Sequence, residues 1–331
     1  MSFAAAPEVH RNDTAGRQAI LVIRRDSPSF TRHGTLVGVT SSGAREEADE
    51  TPRTAQLLLI APDPGIYGPQ SVTWRVHGDP LLGLGGLRAL LLQALHPLAM
   101  AGVAAHSEFR ADPWGRLVRT ARYVGTVTYG TTADAQRAAA RVRGLHRTVN
   151  GVDPVSNRPY SASDPELLTW VHVTEVDSFL STARRGGLAL TDAEADRYVA
   201  EQAMAGALLG VPDELAPHSV AQIAEYYARM RPQLEVGALA REAARFVIHP
   251  PMPRKVALLT PARPAWYGLG ALAFGLLPRW ARRMYRVPGL PMTDLGATLA
   301  VRTLHSGLML LPKAQRDGPA LTAAKERLGL G

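Results

Sequence analysis

The sequence predicts an all-α protein, with one helical domain over residues 67–331 behind an irregular arm over residues 1–66. Three observations carry this. Helix-start signals recur along the chain, most of them an Asp followed by a Pro, which places a side-chain cap before a residue already set at helical φ. Behind each signal the apolar residues recur at three- and four-residue spacing. No long alternating run of the kind a strand needs occurs after Val72.

The arm is rich in Ser, Thr, Gly, Pro and charge, with two short apolar patches, "AILVI" and "QLLLIAP". Asp79-Pro80 then opens a helix expected to run to about Val103 with a kink at Pro97, where the ring removes a backbone donor. Asp112-Pro113 opens the next. Thr131-Thr132-Ala133-Asp134 starts a helix predicted over Ala133–Val149 and ended by Gly151. Ser163-Asp164-Pro165-Glu166 precedes "ELLTWVHVTEVDSFLSTA", and Thr191-Asp-Ala-Glu194 is a capping box before a helix closed by Gly210. "SVAQIAEYYARMRPQLEV" and "GALAREAARFVIHP" read as two more helices.

Composition narrows the chemistry. Hydrophobic residues make up 46% and charged residues 20%, the balance of a soluble globular protein long enough to bury a cofactor or an apolar ligand. Cysteine is absent, which excludes disulfides, Cys-ligated zinc, iron–sulfur clusters, Cys-attached haem and a Cys nucleophile. The net charge of +8 is carried almost wholly by Arg, since Lys255, Lys313 and Lys325 are the only lysines. These arginines are scattered and aromatics are 6%, a pattern that argues against nucleic acid as partner.

The amino terminus lacks a charged start followed by an apolar core and a cleavage site, so a cytoplasmic protein is expected, without a leader. Leu81–Val103 is interrupted by Arg88, Gln93, His96 and Pro97. Ala265–Leu277 is shorter than the ~20 residues a span needs. Both read as core helices. The second, flanked by Arg263, Arg279, Arg282 and Arg283 with Trp266, Tyr267 and Trp280 near its ends, also suits reversible contact with a membrane surface.

Familiar site motifs are missing. Gly83-Leu-Gly85-Gly86 has no preceding strand and reads as helix packing. No His-Glu-x-x-His, Glu-x-x-His or Gly-x-Ser-x-Gly occurs, and His172-Val-Thr-Glu175 has the reverse order of a di-iron ligand pair. What stands out is polar residues on apolar faces. His146 shares a face with Ala135, Ala139, Val142 and Val149, while Arg143 lies close to it on the same helix. Arg116 and Thr120 share one with Tyr123 and Val127. His172 and Glu175 share one with Leu168 and Phe179, and His96 one with Gln93 and Met100. Each alone reads as a satisfied core group. Together they are costly unless they serve one another or a ligand. A haem is one joint explanation, with neutral imidazole for the iron and Arg for propionates or oxygen.

The blocks "GDPLLGLGGLRALLLQALHPLAMAGVAAHS", "RLVRTARYVGTVTYG", "VRGLHRTVNG", "YSASDPELLTWVHVTEVDSFL" and "ALLGVP" resemble the mpaB/rubber-oxygenase family, which includes latex-clearing protein, over about residues 75–312. The resemblance implies an all-helical domain enclosing a b-type haem without covalent attachment. It also implies oxidative cleavage by dioxygen of a carbon–carbon double bond in an apolar isoprenoid or lipid-like substrate. The family's distal Arg-x-x-x-Thr falls on Arg116 and Thr120, its haem-ligating His on His146, the Arg three residues earlier on Arg143, and a hydroxyl near the haem on Ser178. His96 and His172 are candidates for the sixth iron position beside a core role. The chain departs from the pattern at Asn150, where the rubber oxygenases have a second Arg, and in the pocket carboxylate, for which Glu108 is the nearest residue. A haem-using dehydrogenase or peroxidase-like enzyme, and a non-catalytic helical haem- or lipid-binding protein, are the competing readings.

Overall fold

In a computed structural model, residues 61–107, 110–287 and 289–330 are described. Residues 1–60, which hold most of the expected arm, and Glu108 lie outside them. The described residues belong to one unit, Leu59–Gly331, and a side-chain cap sets the start of seven of its α-helices.

After turns over residues 61–71, α1 (Val72–His77) starts at Ser71, whose hydroxyl accepts from Trp74 N. α2 (Leu82–Gln93) begins two residues later than Asp79-Pro80 suggests. Asp79 still serves the first turn by accepting from Leu81 N at 2.8 Å, and it also pairs with His305 at 3.0 Å. α3 (Pro97–His106) follows, and here the expectation of one kinked helix is corrected. Pro97 does not bend a continuous helix. Residues 94–96 form a turn, His96 becomes the extended N-cap of α3, and the two axes meet at 107°. The pair has the length and composition of a broken span, but no single helix among the described residues is long and apolar enough to cross a membrane.

α4 (Pro113–Tyr129) and α5 (Thr132–His146) form an antiparallel hairpin about Gly130-Thr131. Asp112 caps the first, and a reciprocal Thr131–Asp134 capping box starts the second. α5 stops at His146, three residues short of the predicted Val149. Val149 N bonds to His146 O in a tightened turn, and the chain pairs as β1 (Asn150–Val152) with β2 (Pro159–Ser161). That pairing needs residues ten positions away, which helical periodicity around His146 does not register.

α6 (Pro165–Gly186) and α7 (Asp192–Leu209) have the caps and C-terminal glycines expected of them; Gly187 and Gly210 adopt φ of 116° and 100°. Beyond lie α8 (Val220–Met230), α9 (Ala238–Ile248), α10 (Arg254–Leu259), α11 (Ala262–Gly275), α12 (Arg279–Met284), α13 (Pro291–Met309), α14 (Lys313–Arg316) and α15 (Pro319–Leu328).

The core is built on α2 against α6. The two helices approach so closely that a Cβ on Gly85 would lie 3.0 Å from Phe179 and one on Gly186 would lie 2.2 Å from Leu81. Of the glycines in α2, Gly85 is therefore a packing device, while a Cβ on Gly83 would meet nothing. Leu91, Leu92, Leu95 and Trp170 are wholly buried around it. Arg88 pins the contact: buried, it donates to Asp177 at 2.9 Å, to Ser178 at 2.7 Å and to Leu276 O at 3.1 Å. Replacing Arg88 with Ala is expected to cost about 3 kcal/mol or more of unfolding free energy in urea titrations, because Asp177 is left half-covered and unpaired. The double variant Arg88→Met, Asp177→Leu should recover much of that loss.

Candidate functional site

The α4–α5 hairpin closes at one end and opens at the other. Near the turn Val124, Val127, Thr128 and Tyr129 on α4 and Ala135 and Ala139 on α5 are buried. Toward the open end the side chains become half-buried or exposed. Arg116 lies fourteen residues before Gly130 and His146 fifteen after Thr131, so equal rise per residue brings them to the same level at the open end. Arg116 and His146 are half-buried, whereas Thr120 is exposed to solvent. The expectation that Thr120 points into an apolar interior is corrected here, because no described helix covers that stretch of α4.

Three polar groups of the hairpin lack partners among the described residues. His146 Nδ1 and the Tyr123 hydroxyl are buried without a hydrogen bond. Burial holds the His146 imidazole below its ordinary pKa, so it is neutral at pH 7 and a competent metal ligand. Arg116 makes no side-chain hydrogen bond or ion pair with the described residues, and burial, reinforced by the charge of Arg119, lowers its pKa. Arg143, one turn before His146, donates to Leu208 O and ties α5 to α7.

α6 and α7 supply the wall behind. A Cβ on Gly206 would lie 3.1 Å from His172 Nε2, so the imidazole packs flat on α7, where burial depresses its pKa to about 4. Glu175, one turn on, keeps some accessible surface although protein surrounds it. It accepts no hydrogen bond and forms no ion pair among the described residues, and burial raises its pKa to about 7. Glu175 and Arg143 both act on the Tyr123 phenol. Burial raises its pKa first, the carboxylate adds to the rise and the guanidinium opposes it. Tyr123, Arg143 and Glu175 thus come within electrostatic reach of one another, and with Arg116, His146 and His172 on the same three helices, α4, α5 and α6, they make up the candidate site.

Two sequence-derived candidates are occupied elsewhere. Ser178 is buried in the α2–α6 contact, where its hydroxyl accepts from Arg88. His96 caps α3, its Nδ1 accepting from Ala99 N at 3.4 Å beside Trp170, and burial takes its pKa to about 4. The group sequence reasoning passed over is Glu175. Its place three residues from His172 was visible, but its lack of a partner is a tertiary fact.

The residues present fit a haem. A neutral His with an orphaned, buried Nδ1 can ligate iron while its second nitrogen is still free to be satisfied. Arg143 suits a propionate. Among the described residues no three His, Asp or Glu converge to hold a bare metal ion.

Glu175 generates a pH dependence of stability. Its carboxyl is protonated in the fold at pH values where the unfolded chain has already ionised it. Stability therefore falls as pH rises from about 4.5 to about 7 and levels off above. Glu175→Gln should abolish this slope and gain on the order of 2 kcal/mol at pH 8 relative to pH 4.5. Denaturant titrations of both proteins across that range test it, and parallel profiles would place the carboxylate in water.

A family model described as "ER-bound oxygenase mpaB/B'/Rubber oxygenase, catalytic domain" matches residues 74–307, a range that contains the six residues of the candidate site. Uncharacterised proteins of Mycobacterium bovis and Mycobacterium tuberculosis are each 31% identical over 137 residues, 41% of this chain and 52% of the relative. The chain thus spans about half the length of the curated relatives it matches. No solved structure gives a significant match. With the family model extending over more than two thirds of its length, the chain belongs to the mpaB/rubber-oxygenase family and carries that family's oxygenase catalytic domain.

Proposed function

We propose that this protein is a haem b-dependent oxygenase that uses dioxygen to oxidise or cleave a carbon–carbon double bond in an apolar, isoprenoid- or lipid-like molecule. The observation that carries the reading is the pairing of an orphaned, buried His146 Nδ1 with an unpaired, half-buried Arg116 at the same level across one hairpin. A polypeptide gains nothing in stability from leaving the buried His146 nitrogen unsatisfied, and a ligand there, beside a guanidinium with no protein partner among the described residues, is the economical reason.

A bound haem would supply redox-active iron able to activate dioxygen, with His146 holding it and Arg143 facing a propionate. The remaining work falls to the chain. Arg116 presents N–H donors and a full positive charge where negative charge builds up on oxygen, and in a recess of low dielectric this counts for more than in water. Glu175, poised near pH 7, can hold or release a proton at a carboxylate oxygen inside the recess. Tyr123, kept neutral by burial and by Glu175, can donate from its hydroxyl.

Protein purified from haem-supplemented cells is expected to show a Soret band, with pigment removed by acid–organic extraction. His146→Ala should lose the band while keeping its helical circular dichroism. A colourless protein that gains no band on titration with hemin would defeat the proposal. Arg116→Ala should retain haem yet lose on the order of a hundredfold in turnover of alkene substrates per haem, whereas Thr120→Ala, at an exposed side chain, should leave turnover close to that of the unaltered protein. Labelled dioxygen appearing in carbonyl products separates an oxygenase from a dehydrogenase or a peroxidase.

A further inference from the structure

The cations are scattered along this chain, but the acids are not. From Ala243 to Thr293 there are seven Arg and Lys255, and no Asp or Glu. The whole sequence has 37 cationic and 29 acidic residues, so outside this stretch 37 − 8 = 29 cations balance 29 acids, and the stretch alone accounts for the net +8. Part of that charge is internal: Arg282 is buried and pairs with Asp294, as does Arg279. The cations around α10, Arg254, Lys255 and Arg263, are exposed.

The same place exposes bulky apolar side chains. No residue of α10 is buried, and Leu258 and Leu259 are 78% and 80% exposed. Two adjacent leucines held in water on a helix opened by Arg-Lys find no partner within the fold. α11 follows at once. Its Trp266 is anchored by a bond to Val247 O at 3.0 Å, and its half-exposed Tyr267 packs on His249 at 4.7 Å. A groove of about 750 Å³ lies between residues 248–258 and 263–267. Its walls are mainly Ile248, Met252, Leu258, Trp266 and Tyr267, with Arg254 and Arg263 at the side.

Exposed leucines, interfacial aromatics and cations without a carboxylate among them are the chemistry of an anionic bilayer surface. Nucleic acid would reward the cations and leave the leucines unexplained. We propose that α10 and the first turn of α11 form a docking surface for an anionic lipid bilayer, with Leu258 and Leu259 entering the acyl boundary and Arg254, Lys255 and Arg263 meeting lipid phosphates. The surface adjoins the candidate site. Trp114 donates to Pro251 O at 2.8 Å and packs edge-on against Trp266 at 4.6 Å, two residues before Arg116. On the oxygenase reading, docking would bring the open end of the hairpin to a source of apolar substrate; the docking itself does not depend on that reading.

The test is co-sedimentation of the full chain with vesicles of equal parts phosphatidylglycerol and phosphatidylcholine, against phosphatidylcholine alone. The protein should sediment with the anionic vesicles and be released by high salt or by carbonate. Leu258→Glu with Leu259→Glu should weaken binding about tenfold or more. Arg254→Gln, Lys255→Gln and Arg263→Gln together should weaken it to a similar degree. All five side chains are exposed, so circular dichroism should be unchanged. Absence of vesicle binding overturns the proposal, as does binding that either variant leaves intact. Retention on duplex DNA that the leucine variant does not weaken, without vesicle binding, would assign the surface to nucleic acid instead.

Discussion

The close approach of α2 to α6 is the constraint on which the rest of this fold depends. Two glycines, Gly85 and Gly186, remove the side chains that would hold the helices apart. Arg88 then crosses the contact to bind Asp177, Ser178 and Leu276 O. A buried guanidinium is tolerable only when its donors are used, and here three different acceptors use them. With α6 fixed in rotation by that contact, His172 faces Gly206 of α7 and Glu175 reaches the Tyr123 and Arg143 side of the hairpin. The recess is a consequence of how the core helices are locked.

Polar groups inside the fold fall into two populations. One is satisfied: His77 bridges Thr128 and Tyr198 at 2.7 and 3.0 Å, His96 caps a helix, and Arg185 holds Thr298 and the Asp294 carbonyl. These hold elements together. The other is unsatisfied, and on the α4–α5 hairpin it includes His146 Nδ1 and the Tyr123 hydroxyl, with Arg116 and Glu175 also without a hydrogen bond or ion pair among the described residues. Unsatisfied buried polar groups are expensive, and a cluster of them marks where the chain gives up stability for another purpose. Burial does not make this division, since His77 and His96 are more buried than His146.

Much of the fold was legible beforehand because helix capping is local. Asp112, Thr131, Asp164 and Thr191 sit within three residues of the amides they cap, so each start could be read from a few letters. The placement of His146 on the Ala135–Ala139 face was legible for the same reason, through helical period. Errors arose where a distant segment intervened. The pairing of Asn150–Val152 with Pro159–Ser161 ended α5 early, and the turn over residues 94–96 replaced a kink with a break.

By itself, then, the sequence determined the helices, their order, the absence of cysteine chemistry, the stretch without acids after Ala243, and the side of each helix on which a polar residue sits. Those properties follow from composition and from spacings of three or four residues. Only the tertiary structure decided which polar groups have partners. Arg88 could have paired with any inward carboxylate, and the fold gave it Asp177, ninety positions away in round terms, leaving Glu175 alone. Ser178 and Glu175 lie one turn apart on the same helix, yet one is consumed by the core and the other opens to the recess. A hydrogen bond is a relation between two positions, and when the partners are far apart in the chain neither letter reports the other.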